Sequence, residues 1–153
     1  MCMSPKDSEN NISNGKRGAA PGKKILIVDD EVEQIDFART VLEESGYTPI
    51  SAMNGEEGMK KVRDEKPDLV LLDILMPRRG GIAMYHDLKH NEETRNIPVI
   101  IITAIAKVDS GPIGAHFKDI MMREGQDTPA PDGYIEKPMN GDRLLKLIRD
   151  LLS

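Results

Sequence analysis

The chain has 153 residues, 39% of them hydrophobic and 31% charged, which bounds it to one globular domain with room for a real core. Two Phe, three Tyr and no Trp make that core aliphatic, and a net charge of −5 argues against unaided binding to nucleic acid or an anionic membrane. A single cysteine, Cys2, excludes an internal disulfide framework, and no apolar run approaches the ~20 residues that span a bilayer.

Residues 1–22 are rich in Ser, Asn, Gly and Lys and carry no periodic apolar content, so a disordered tail or linker is expected there. No signal-peptide core precedes the domain, and the expected compartment is the cytoplasm. A buried strand at 25–28 (ILIV) leads into a helix over 31–44, whose Ile35, Ala38, Val41 and Leu42 recur at the helical period. Gly46 follows as its C-terminal stop. A weaker strand at 48–52 precedes a second helix capped by Asn54, with Glu57 three positions on as in a capping box. Pro67 introduces the most apolar strand, 69–72 (LVLL), and a loop with Pro77, Gly80 and Gly81 leads to a third helix carrying Ile82, Tyr85 and Leu88. Pro98 opens a strand at 99–102 (VIII). Residues 104–133 hold a short helix at 116–124 between two loops. A strand at 134–136 then precedes the last helix, capped by Asn140 and carrying Leu144, Leu145, Ile148 and Leu151. This alternation of strand and helix predicts an α/β fold with a doubly wound parallel sheet.

Each apolar run ends on a residue with chemistry. The first stops at Asp29-Asp30, the third at Asp73, the fourth at Thr103 and the last at Lys137. In a parallel sheet these strand ends share one edge, where open α/β sheets bind ligands. Three carboxylates gathered together repel one another unless a cation neutralises them. The all-oxygen set suits Mg²⁺, and the lack of clustered His or Cys argues against zinc. Asp29 and Asp30 then serve the metal, and Asp73 is the candidate nucleophile for a phosphoryl group. Lys137 and Thr103 are placed to contact its oxygens.

The motifs VDDE at 28–31, LLDILMP at 71–77, IITA at 101–104 and EKP at 136–138 resemble the receiver domain of two-component response regulators. Asp73 lies 43 residues after Asp30 and 30 before Thr103, and the resemblance covers residues 23–153. It implies the flavodoxin-like five-stranded sheet of order 2-1-3-4-5. It implies that Asp73 is the phosphoacceptor, that Asp29, Asp30, Asp73 and the backbone carbonyl of Leu75 hold Mg²⁺, and that Thr103 and Lys137 meet the phosphoryl group. Tyr134 falls at the family's aromatic switch position, and the Lys137–Pro138 bond is expected to be cis. The implied partners are a histidine kinase or phosphotransfer protein and a downstream protein or output domain, with no direct nucleic-acid contact and no membrane insertion. Such a domain is not an enzyme beyond its own phosphoryl transfer and slow dephosphorylation.

The chain departs from the family pattern in three places. Thr103 and Lys137 are 34 residues apart, longer than usual, and the extra length falls on the side of the usual signalling surface. Leu75 and Ile105 are apolar where fast-hydrolysing receivers often carry polar groups, which predicts slow self-dephosphorylation. Arg78-Arg79-Gly80 replaces a more acidic loop.

Blander accounts exist for single residues. Asp30 could serve as a helix N-cap, Thr103 as a strand former and Tyr134 as an edge aromatic. His86 and His90 have chelating spacing but fit a solvated helix face, while Met121 and Met122 fit core packing. Two other functions compete with the receiver reading. An aspartyl phosphatase of the haloacid-dehalogenase type needs a second acid at the strand end, where Asp73-Ile74-Leu75 has none. A pseudo-receiver would act only through constitutive protein contacts. No output domain follows the last helix, so a single-domain regulator or a receiver excised from a longer protein is expected.

Overall fold

The computed structural model describes residues 22–74, 80–103, 129 and 131–152. The expected tail up to residue 21, Leu75, the Arg78-Arg79 loop, Ile105, the helix at 116–124 and Met121-Met122 lie outside these. The elements in chain order are β1 (Lys24–Val28), α1 (Val32–Glu44), β2 (Thr48–Ala52), α2 (Gly55–Glu65), β3 (Leu69–Asp73), α3 (Gly81–Lys89), β4 (Val99–Thr103), β5 (Gly133–Glu136) and α4 (Gly141–Leu152).

The five strands form one sheet in the order β2-β1-β3-β4-β5, and all four pairings are parallel. This is the 2-1-3-4-5 order that the family resemblance implied. Alternation along each strand divides the core in two. Leu26, Val28, Val70, Leu72, Val99 and Ile101 face Val62, Met84, Tyr85 and Leu88 of α2 and α3. Ile25, Ile27, Leu69, Leu71, Ile100 and Ile102 face Ile35, Ala38, Leu42, Leu144 and Ile148 of α1 and α4. Both faces of the central strands are thus covered, which is why they are nearly continuous Val, Ile and Leu.

Local signals account for most boundaries. Gly46 adopts φ of +90° where α1 turns into β2, and its N–H reaches the carbonyl of Glu43. Asn54 Oδ1 accepts from Glu57 N at 2.8 Å, while the Glu57 carboxylate reaches past the cap to Met53 N at 2.8 Å. The capping box therefore closes one residue earlier than its usual form. Asn140 Oδ1 accepts from Arg143 N at 3.0 Å at the start of α4. α3 carries Tyr85 and Leu88 in the core as the periodicity predicts, with Ile82 packed at the margin.

The start of α3 is pressed against the end of β3. A Cβ at Gly81 would collide with the Asp73 carbonyl oxygen and come within 2.6 Å of the Ile74 Cα. Only glycine permits that approach, so Gly81 fixes where α3 leaves the edge that carries Asp73.

Candidate functional site

Because every pairing is parallel, β1, β3 and β5 end at the same edge of the sheet. Asp29 and Asp73 continue the alternation of Ile25, Ile27, Leu69 and Leu71, and Lys137 continues that of Ile135. The three side chains meet there. The Lys137 ammonium lies 3.1 Å from Asp73 Oδ2 and 3.4 Å from Asp29 Oδ2. Asp29 and Asp73 are almost wholly withdrawn from water, while Asp30 is exposed. The Lys137–Pro138 bond is cis.

Asp30 does not cap α1. The N-cap is Glu31, whose side chain makes no capping bond, and it is Asp29 Oδ1 that accepts from Glu31 N at 2.9 Å. The capping account of Asp30 therefore fails, and its carboxylate is left to the edge. One oxygen from each of Asp29, Asp30 and Asp73 lies within 4.8 Å of the others.

The electrostatics of this group are unbalanced. Burial pushes the Asp29 carboxyl up to about 6; the Glu31 N–H opposes this, the Asp73 charge adds to it, and Lys137 opposes it. Burial alone would lower the Lys137 ammonium. Hydrogen bonds to Glu31 and Asp73, with the charges of Asp73 and Asp29, more than reverse that and hold it above the ordinary lysine value. Asp29 Oδ2, buried, has no hydrogen-bond partner among the described residues, because 3.4 Å from Lys137 is an ion pair without hydrogen-bond geometry. An orphaned carboxylate oxygen beside two more carboxylates is the chemistry a hard divalent cation satisfies, and the residues fit one.

The other expected residues fall out as follows. Thr103 ends β4 and pairs with Glu136, at the same edge as Asp73. Tyr134, on β5, pairs with Ile101 of β4 and packs, half-buried, against the α2–α3 side of the core. Burial raises its phenol above the ordinary value. Leu75 lies outside the described residues. His86 and His90 stack with ring centroids 4.1 Å apart on α3, and among the described residues the acidic triplet is the one group of three or more possible metal ligands.

One member of the site was not anticipated. Glu31 Oε1 accepts from the Lys137 ammonium at 2.6 Å, the shortest of its three carboxylate contacts. The pair is 106 residues apart in the chain, so no local motif announces it.

The chain matches the response regulator receiver domain over residues 25–149. The polar-differentiation response regulator DivK of Brucella anthropi is 34% identical over 131 residues, covering 86% of this chain and 97% of that protein. The N-terminal domain of a response regulator receiver protein from Methanoculleus marisnigri JR1 superposes with a TM-score of 0.61 at 33% identity, covering 85% of this chain and 96% of that one. The chemotaxis protein CheY4 of Vibrio cholerae has a TM-score of 0.70 at 22% identity, covering 86% and 99%, and shows likeness of fold alone.

Proposed function

The chain belongs to the response regulator receiver domain family, and from that premise we propose that Asp73 accepts a phosphoryl group from a histidine kinase or phosphotransfer protein. The observation that carries the proposal is the Lys137 ammonium set between Asp29 and Asp73 at the shared strand edge. A structural ion pair needs one carboxylate, and here the described residues surround one cation with an excess of them.

In the transfer, an Asp73 carboxylate oxygen bonds to phosphorus as the bond from phosphorus to the donor imidazole breaks. The electron pair of that bond returns to the imidazole nitrogen, and the product is an acyl phosphate on Asp73. Lys137 donates to a phosphoryl oxygen as a point charge, and the Thr103 hydroxyl donates to another. Asp29, Asp30, Asp73 and the Leu75 carbonyl would hold Mg²⁺, which when bound would supply positive charge against the repulsion between the carboxylate and the phosphoryl oxygens. Tyr134, on the strand that neighbours the one ending at Thr103, relays the change to a surface read by a downstream protein. Leu75 and Ile105 are apolar and carry no polar group to orient water, so self-dephosphorylation is slow. The receiver spans 23–153, with residues 1–22 as a tail. No helix among the described residues is long and apolar enough to cross a membrane.

Incubation with Mg²⁺ and a small acyl-phosphate donor, followed by intact mass, tests this reading. The wild type gains one phosphoryl group, and Asp73→Ala or chelation of Mg²⁺ abolishes the gain. A folded, Mg²⁺-binding wild type that takes no adduct would favour a pseudo-receiver.

A further inference from the structure

Glu31 occupies the N-cap of α1, a position where short side chains usually bond back to their own helix. Its backbone is held by three hydrogen bonds: its N–H donates to Asp29 Oδ1, and its carbonyl accepts from Gln34 N at 3.1 Å and Ile35 N at 3.2 Å. Its side chain makes no capping bond and reaches instead to Lys137.

The three carboxylates on that ammonium are not equivalent. Those of Asp29 and Asp73 are buried, whereas the Glu31 side chain is 57% exposed. The ammonium donates to Glu31 and Asp73, and its 3.4 Å contact with Asp29 is an ion pair without hydrogen-bond geometry. To turn toward a phosphoryl oxygen on Asp73, Lys137 must move away from one of these carboxylates. Glu31 is the partner that costs least to release, because water rehydrates an exposed carboxylate and cannot rehydrate a buried one.

We propose that Glu31 is a latch on Lys137: a positioning residue that holds the ammonium toward the rim in the resting protein and yields it when Asp73 is phosphorylated. The proposal rests on the phosphoacceptor reading of Asp73. The exchange makes and breaks only hydrogen bonds, since the ammonium keeps its proton and passes from a carboxylate oxygen to a phosphoryl oxygen. Without the latch, Lys137 is available from the start.

The test compares wild type with Glu31→Gln, Glu31→Asp and Glu33→Gln at saturating Mg²⁺. Glu31→Asp keeps the charge but shortens the reach, and Glu33, exposed in the first turn of α1, controls for net charge. Two quantities are measured: the rate of phosphoryl-adduct formation from a small acyl-phosphate donor, and the rate at which Lys137 is acylated by an amine-reactive reagent without donor. Both are expected to rise about two- to fivefold in the two Glu31 variants, the range an exposed ion pair supports, and to stay at the wild-type value in Glu33→Gln. Unchanged rates in the Glu31 variants, or an equal rise in Glu33→Gln, would overturn the latch while a wild-type adduct left the phosphoacceptor reading standing. A wild type that takes no adduct would overturn both.

Discussion

Two lysines of this chain with largely buried side chains keep opposite company. Lys89, with a side chain 7% exposed, donates to the backbone carbonyls of Arg95 at 3.1 Å and Ile97 at 3.0 Å. The Asp132 carboxylate is 3.9 Å away and itself accepts from Val99 N at 2.9 Å. Lys137, 15% exposed, faces the carboxylates of Glu31, Asp73 and Asp29. Burial lowers the Lys89 ammonium with only partial opposition from Asp132, whereas the carboxylates hold Lys137 above the ordinary range. The first arrangement balances its hydrogen bonds and ties the end of α3 to the approach of β4 and β5. Among the described residues, the second carries surplus negative charge that an added cation would settle. A buried cation by itself therefore marks nothing, and what marks a site is the mismatch around it.

Substituting each lysine should separate the two roles. Lys137→Met removes the donor to the phosphoryl group, and the rate of adduct formation should fall about a hundredfold, the scale for losing one preorganised electrostatic contact. Mg²⁺ affinity should hold or improve, because a competing positive charge has gone. Lys89→Met should leave adduct formation unchanged. It strands the Arg95 and Ile97 carbonyls and should cost about 2 kcal/mol in urea unfolding. A Lys89 variant that lost phosphorylation at full stability would erase the distinction.

The surplus charge also predicts a stability cost at Asp29. Its folded pKa, about 6, stands above the ordinary 3.8, so the folded protein takes up this proton more readily than the unfolded chain. The stability this group contributes is fully present below pH 3.8 and is lost as pH rises through about 6. Asp29→Asn keeps an Oδ1 acceptor for Glu31 N and removes the buried charge. It should stabilise the Mg²⁺-free protein by about 1–3 kcal/mol at pH 7 and flatten this part of the pH dependence. An Asn variant less stable than wild type at neutral pH would contradict that.

A smaller effect follows for the cation. Protonated Asp29 cannot ligate, so Mg²⁺ affinity should fall about tenfold for each pH unit below about 6. Calorimetry at two acidic pH values reads this directly.

The contrast between the two lysines also explains what the sequence could disclose. Asp29, Asp30, Asp73 and Lys137 were legible because they stand where apolar runs end, and parallel pairing turns three strand ends into one edge. The doubly wound sheet was legible from the alternation of apolar runs with helical stripes. Lys89 and Glu31 were not. Both lie on or beside helices whose periodicity explains them fully, and their partners are distant carbonyls or an ammonium 106 residues away. Such contacts depend on where a long side chain reaches, which neither period nor propensity encodes. The Glu57 cap had a sequence signature, yet its carboxylate chose Met53 N over the residue the signature names.

The central claim is that Asp73, and neither of its acidic neighbours, takes the phosphoryl group. After reaction with the acyl-phosphate donor and Mg²⁺, borohydride reduces an aspartyl phosphate to homoserine, and peptide mass spectrometry locates it. The account predicts homoserine at position 73 alone. Homoserine at position 29 or 30, or a phosphoryl group retained on another residue with position 73 unmodified, would contradict it.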